Sequence, residues 1–473
     1  MRKAVVVVAL GGWTFAGCSL ANAQDEFTPR QVFSALYEAM STTLYPTSMP
    51  SDKWLSLSLV GAAAEEDDPA AVNDLANFCP KVLPGDADFV ALRHLDNIYT
   101  GIVKGMIGPY RPESDEAKEA RKFLTSPSGD DSPPYTVYKK FKNAYRQKLA
   151  AYMTETDENK RSLLLGDALD IQKDWSITGF RTEVDSAQNA LIRDETKYGP
   201  TKTALRLDDL SWYKIKGLKQ GDFLGGGAQK SPLTEFSPPV SEWKTETAWL
   251  SVSYSDKEFS HYYKEASRSN QGFGGISLGF VNLIATGGGG NGNVTKVDRV
   301  KTFQYSFDLK RVEIRRPWLD TDVFFEPSGW TWRKKAGTTE FPYVSVGTDA
   351  AGAPKEPQVS TYDHSGIACP LLPLELIIAR KRSLVATVSK SDYTEVTTGG
   401  SNGGGGSLFG IFGGGGSRKW STTEISQSGD DVTFKVEDPS IAVIGYISAV
   451  VPTAPVPSST DQWTKDAWIE GKP

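Results

Sequence analysis

From about Asp86 onward the apolar pattern of this chain changes period once, at Gly199-Pro200. Before that point apolar residues recur every three or four positions, as in amphipathic helices. After it they alternate, as in half-buried strands. Tyr138, Phe141, Tyr145, Leu149 and Tyr152 set the helical rhythm. Leu164, Ala168, Ile171 and Trp175 continue it. After a weak point at Thr178-Gly179, so do Phe180, Val184, Ala187 and Leu191. Leu205, Leu207 and Leu210 begin the alternating pattern, and Phe303, Tyr305, Phe307 and Leu309 carry it. The expectation is an α+β chain: an N-terminal, inserted antiparallel helical bundle followed by a larger antiparallel β domain.

At 473 residues the chain exceeds one ordinary core. The expected division is 1–23, a signal peptide; 24–84, a helix and a strand; 85–200, the bundle; 201–452, the β domain; and 453–473, a Pro/Ser-rich tail. Thr28-Pro29 suits a helix start, as does Ser114 for a helix through Leu124. Trp54 to Val60 reads as a strand, and Ala62 to Asp74 as a solvated acidic loop. The aromatic seam of the helices reads as packing and supports no cofactor.

Within the β region Val252 and Tyr254 alternate with serines. Parity shifts at Lys310-Arg311, after which Val312 and Ile314 take the apolar positions; a bulge is one cause. Leu374 to Ala379, Leu384 to Val388, Val432 to Val436 and Ile441 to Val451 read as further strands. The last is apolar almost throughout, as in a strand buried on both faces.

Two stretches share one order of events: strand, polar arm, glycine-rich tip, polar arm, strand. They run from Ser251 to Leu309 and from Leu384 to Val436, and read as two long hairpins with glycine-rich tips. The first tip carries Phe273 and Phe280; the second carries Leu408, Phe409, Ile411 and Phe412. Apolar side chains among glycines are costly in water unless covered. These six are the candidate contacts to a membrane or a partner. In composition the tips and arms resemble the membrane-inserting hairpins of β-pore-forming toxins, which implies a membrane surface as target. The bland alternative, that each tip folds back over a sheet or packs on its partner tip, is the stronger one.

Arg2 and Lys3, the apolar run Ala4 to Gly17 and Ala21-Asn22-Ala23 read as a secretory signal cleaved before Gln24. Phe15-Ala16-Gly17-Cys18 offers the rival reading, a lipid anchor on Cys18. Either way the expected location is periplasmic or extracellular. Cys79 and Cys369 are then the remaining cysteines, and an oxidising compartment favours a disulfide between them. Two separate buried thiols are the alternative.

The formal net charge of -6 argues against nucleic acid as a partner. With three histidines and three cysteines, no zinc set is visible. Asp320-Thr321-Asp322 and Glu65 to Asp68 read as acidic surface loops rather than metal sites, and no nucleotide-binding motif occurs, so no metal or cofactor is expected. Gly275-Ile276-Ser277-Leu278-Gly279 matches the G-x-S-x-G elbow, with His364 and Asp320 or Asp322 in the required order. The polar segment before Ser277 is not the apolar strand an elbow needs. The sequence thus favours a non-enzymatic, exported envelope or extracellular protein that binds a surface or assembles with partners, including copies of itself. A membrane-inserting pore former comes second and a serine hydrolase third.

Overall fold

The structure is a computed structural model that describes residues 29–62, 69–80, 94–109, 111–216, 231–256, 300–332, 343–350, 352–355, 367–391 and 421–456. It is mixed helix and antiparallel sheet. The helices are α1 (Pro29–Leu44), α2 (Pro69–Ala76), α3 (Leu95–Gly105), α4 (Asp115–Leu124), α5 (Pro133–Thr154), α6 (Glu158–Thr178), α7 (Arg181–Asp194) and α8 (Pro200–Lys216). A short helix follows at Asp322–Phe325. The strands are β1 (Lys53–Ala62), β2 (Met106–Ile107), β3 (Glu235–Ser237), β4 (Leu250–Ser255), β5 (Val300–Arg315), β6 (Thr331–Trp332), β7 (Leu371–Ser389), β8 (Ser421–Ser428), β9 (Asp431–Asp438) and β10 (Ala442–Val450).

Two long strands, β5 and β7, pair antiparallel through the middle of an eight-stranded sheet. The N-terminal half of β7 pairs with β10, which pairs with β1; its C-terminal half pairs with β9, which pairs with β8. On the other side β5 pairs with β4 through Gln304–Leu309 and with β3 through Glu313–Arg315. β7 is one strand where two were expected. Between the pairs Ser306–Ser383 and Asp308–Arg380, Lys381 and Arg382 oppose the single Phe307. That extra residue is a bulge, and Lys381 takes φ +50° within it.

Each face of the sheet is covered by a different layer. One face packs Leu36, Tyr37 and Met40 of α1 on Phe303, Tyr305, Ile377 and Ile444. The other packs Val72 and Leu75 of α2, with Trp243, on Val312, Ile314, Leu376 and Tyr446. The parity shift after Leu309 follows from this: the covered face changes along β5, and no bulge is needed at Lys310-Arg311. β10, buried along most of its length, meets both layers, as its apolar run implies.

Two sequence readings are corrected here. Residues 69–74, expected in a solvated loop, belong to α2. Val72 is buried, while Asn73 and Asp74 enter a buried polar network. Asn73 Nδ2 donates to the Pro232 carbonyl at 3.0 Å, the Thr234 amide donates to Asn73 Oδ1 at 2.8 Å, and Ser231 bonds to Asp74. Leu205, Leu207 and Leu210, expected to open the strands, lie in α8. Pro200 supplies a helix start, where its missing N–H costs nothing. Leu207, Leu210 and Tyr213 then recur at three-residue steps against a third core of Tyr99, Trp318 and Trp330.

Elsewhere the helices follow local chemistry. Ser114 caps α4 by accepting from the Ala117 amide at 3.2 Å. Ser132 caps α5 through the Tyr135 amide at 3.3 Å, and Asp157 caps α6 through two amides. α6 stops at Gly179, where an added Cβ would stand 2.8 Å from Phe141 and 2.6 Å from Trp175. Tyr138, Trp175, Val184, Ala187 and Leu191 are buried together in the helical layer. Phe180, expected in that face, is instead 38% exposed at φ +55°.

Candidate functional site

The six tip residues Phe273, Phe280, Leu408, Phe409, Ile411 and Phe412 lie outside the described residues, as do Ser277, His364 and the first 28 positions. Their readings therefore rest on sequence. Cys79 and Cys369 are described and lie together, with sulfurs 2.9 Å apart. The structure does not support the expected disulfide: no sulfur–sulfur bond joins them, the separation being well beyond the roughly 2.05 Å of such a bond. Both are buried in the third core, beside Tyr99 and Leu372. Arg316, partly buried nearby, donates to the carbonyls of Pro373 (2.7 Å) and Ala76. Burial pushes its guanidinium down to about 10, and the two sulfurs push it back. The sequence thus identified the spatial pair, and the structure shows it as a thiol contact.

Asp320 and Asp322 are each tied to a cation, Arg206 at 2.6 Å and Lys197 respectively. Among the described residues no group of three or more His, Cys, Asp or Glu could hold a metal ion. Among them, too, no helix is long and apolar enough to cross a membrane.

The concave surface lies in the helical layer. Positions 135, 138, 139, 142 and 143 of α5 fall on one face by helical spacing. Across from them α8 presents positions 201, 204, 205 and 208. Leu124 of α4 with Leu191 of α7 completes the walls. Together these side chains line a cavity of about 410 Å³. A second cavity of about 310 Å³, between α7, α8 and residues Ile107, Gly108, Pro109 and Arg111, shares Arg121 and Pro200 with the first. The two cavities thus adjoin at Arg121 and Pro200, and together they are called the groove below.

The charged groups of the groove hold one another. Lys142 Nζ donates to Asp208 Oδ2 at 2.6 Å, and Arg146 reaches the other oxygen of Asp208 at 2.9 Å. Lys139 donates to Asp131 at 2.5 Å and stands 4.8 Å over the Tyr135 ring. Arg121 donates to Glu113 at 2.7 Å and to Glu195 at 3.3 Å. Burial works against the Arg121 charge, but these two carboxylates outweigh it and raise its pKa. Glu195 also accepts from the Thr201 amide and hydroxyl, at 2.9 and 2.8 Å, which fixes the start of α8.

Tyr135 and Tyr138 differ in role. Tyr138 is buried, packs edge-on against Trp175 with ring centres 5.0 Å apart, and donates to Asp185 at 2.8 Å. It is the packing residue that the seam implied. Tyr135 is half-buried and accepts from Gln188 Nε2 at 3.3 Å. Burial raises the phenol pKa of Tyr135, so it stays protonated and keeps its own hydrogen to donate. The Asn143 side chain is exposed and makes no hydrogen bond among the described residues.

The sequence reading missed the groove because α8 was assigned to the strands. The available signal was the pairing of Lys142 and Arg146 on one helix with Asp208 and Asp209 on the next. Beyond the groove, Met153 (54%), Leu163 (71%), Leu169 (54%) and Ile177 (70%) are exposed on α5 and α6. The chain matches no protein family, no curated protein and no solved structure.

Proposed function

We propose that this chain is an exported, non-enzymatic envelope or extracellular protein that acts by binding a surface. Export is supported by Arg2-Lys3, the apolar run and Ala21-Asn22-Ala23. In this reading residues 85–200 are a helical bundle set ahead of the β domain, α8 extends it, and the two glycine-tipped hairpins belong to the β domain. The observation that carries the binding function is the groove across the helices. Its volume lies in the range of ligand sites, and polar and charged side chains converge on it beside a smaller apolar wall of Leu124, Leu191, Pro200, Ala204 and Leu205. Its ionic groups are engaged with one another, which suits recognition more than proton transfer.

The test is sedimentation of the purified protein with envelope fragments from the exporting cell. The wild type should pellet with the fragments. Lys139→Ala/Asn143→Ala, which changes two exposed groove side chains, should stay in the supernatant with an unaltered circular dichroism spectrum. A wild type that does not pellet, or a variant that pellets equally, contradicts the reading.

A further inference from the structure

We propose that the groove takes a neutral, hydroxyl-rich ligand, a linear oligosaccharide, lying across both cavities; this rests on the binding reading above. The charges argue for neutrality. Lys142, Lys139 and Arg121 each hold a carboxylate at 2.7 Å or less. An anionic ligand has to displace Asp208, Asp131 or Glu113, and it replaces one ion pair with another for little gain. A hydroxyl ligand leaves the pairs intact. An ammonium carries three donors, and Lys142 spends one on Asp208, while each carboxylate oxygen accepts more than one bond. The groove therefore offers donors beside acceptors along its wall, and a hydroxyl group uses both.

Three further observations fit the same ligand. Asn143 presents an amide, donor and acceptor together, that the described protein does not use. Tyr135 keeps a free phenolic hydrogen next to Gln188. Leu124, Leu191, Ala204, Leu205 and Pro200 line the same cavity and suit the C–H faces of sugar rings. The second cavity shares Arg121 and Pro200 with the first, so a ligand that reaches both is a chain of rings rather than one ring.

The experiment is titration calorimetry of the full chain with neutral gluco-, manno- and N-acetylglucosamine oligosaccharides of one to about four rings. Uronic-acid oligomers of equal length are the comparison. The proposal expects a neutral series to bind, with affinity rising with length and unchanged by salt. Asn143→Ala should weaken that binding about tenfold, equivalent to about 1.4 kcal/mol, with an unchanged melting temperature. Binding by the uronic acids alone, falling with salt, overturns the ligand class while the groove stays a binding site. Failure of every sugar while envelope fragments still pellet in a groove-dependent way also overturns the class. Absence of pelleting overturns the underlying binding reading instead.

Discussion

Lys142 on α5 donates to Asp208 on α8 across 2.6 Å, and this contact joins the two stretches that the change of apolar period separates. Arg146 grips the same carboxylate at 2.9 Å, so one acidic residue anchors α8 to the helical layer. Asp208→Asn leaves both cations without their shared partner. With Asp208 34% exposed, solvent screening holds the loss to about 1 kcal/mol, largest at low salt. Urea unfolding of Asp208→Asn, Lys142→Met and the double variant should show non-additive losses. Additivity would mean the pair carries no coupling.

The helical core should be most sensitive at Trp175. It is buried beneath Tyr138 and Tyr145, so Trp175→Ala should cost about 3–5 kcal/mol. Phe141 is only half-buried beside it, and Phe141→Ala should cost about half as much. Equal losses in denaturant unfolding would contradict the packing described.

The corner of β7 supplies a test of opposite signs. Arg382 has no exposed side-chain surface and donates to Asp438 at 2.5 Å and Ser440 at 3.1 Å. Asp438→Ala strands a buried cation and should cost about 3–5 kcal/mol. Lys381 next to it is held at φ +50°, so Lys381→Gly should stabilise the protein or leave it unchanged, within about 1 kcal/mol. A clearly destabilised glycine variant would mean that the Lys381–Asp308 contact outweighs the backbone strain.

Acid should weaken the protein partly through His94. Burial against Phe78, with ring centres 4.5 Å apart, lowers its pKa below the ordinary value near 6.5. Asp96 raises it and Lys214 lowers it, both less than burial does. The folded state then holds fewer protons on His94 than the unfolded state. Its contribution is full above the unfolded value and lost as pH falls towards the folded one. His94→Gln should remove that part of the acid loss in thermal melts between pH 7 and 5. Parallel pH profiles for variant and wild type would exclude His94 as a source.

Thiol titration addresses the cysteine pair. Cys79 and Cys369 should both react in denatured, unreduced protein and neither should react in the native state, since both are buried. Finding neither thiol after denaturation would mean that the pair is bonded in solution.

Much of the fold was legible because period and capping are local. The Ser114 cap, the break at Gly179 and the alternation of Phe303 to Leu309 all follow from short-range pattern. What escaped depended on distant partners. α2 is short and carries Asn73 and Asp74, which look solvated until residues 231–234 cover them. β7 reads as two strands because Arg380-Lys381-Arg382 breaks the apolar run, and only Asp308 and Asp438 show how the charges are held. The groove was illegible for the same reason: its two walls are more than fifty positions apart, and one was read in the wrong period.

The most direct test of a groove-based binding function is hydroxyl-radical footprinting of the protein with and without envelope fragments. Tyr135 and Leu205 on the facing walls should be protected, with Leu163 and Ile177, exposed on α6, unchanged. Protection of Leu163 and Ile177 with Tyr135 and Leu205 left reactive would contradict that function.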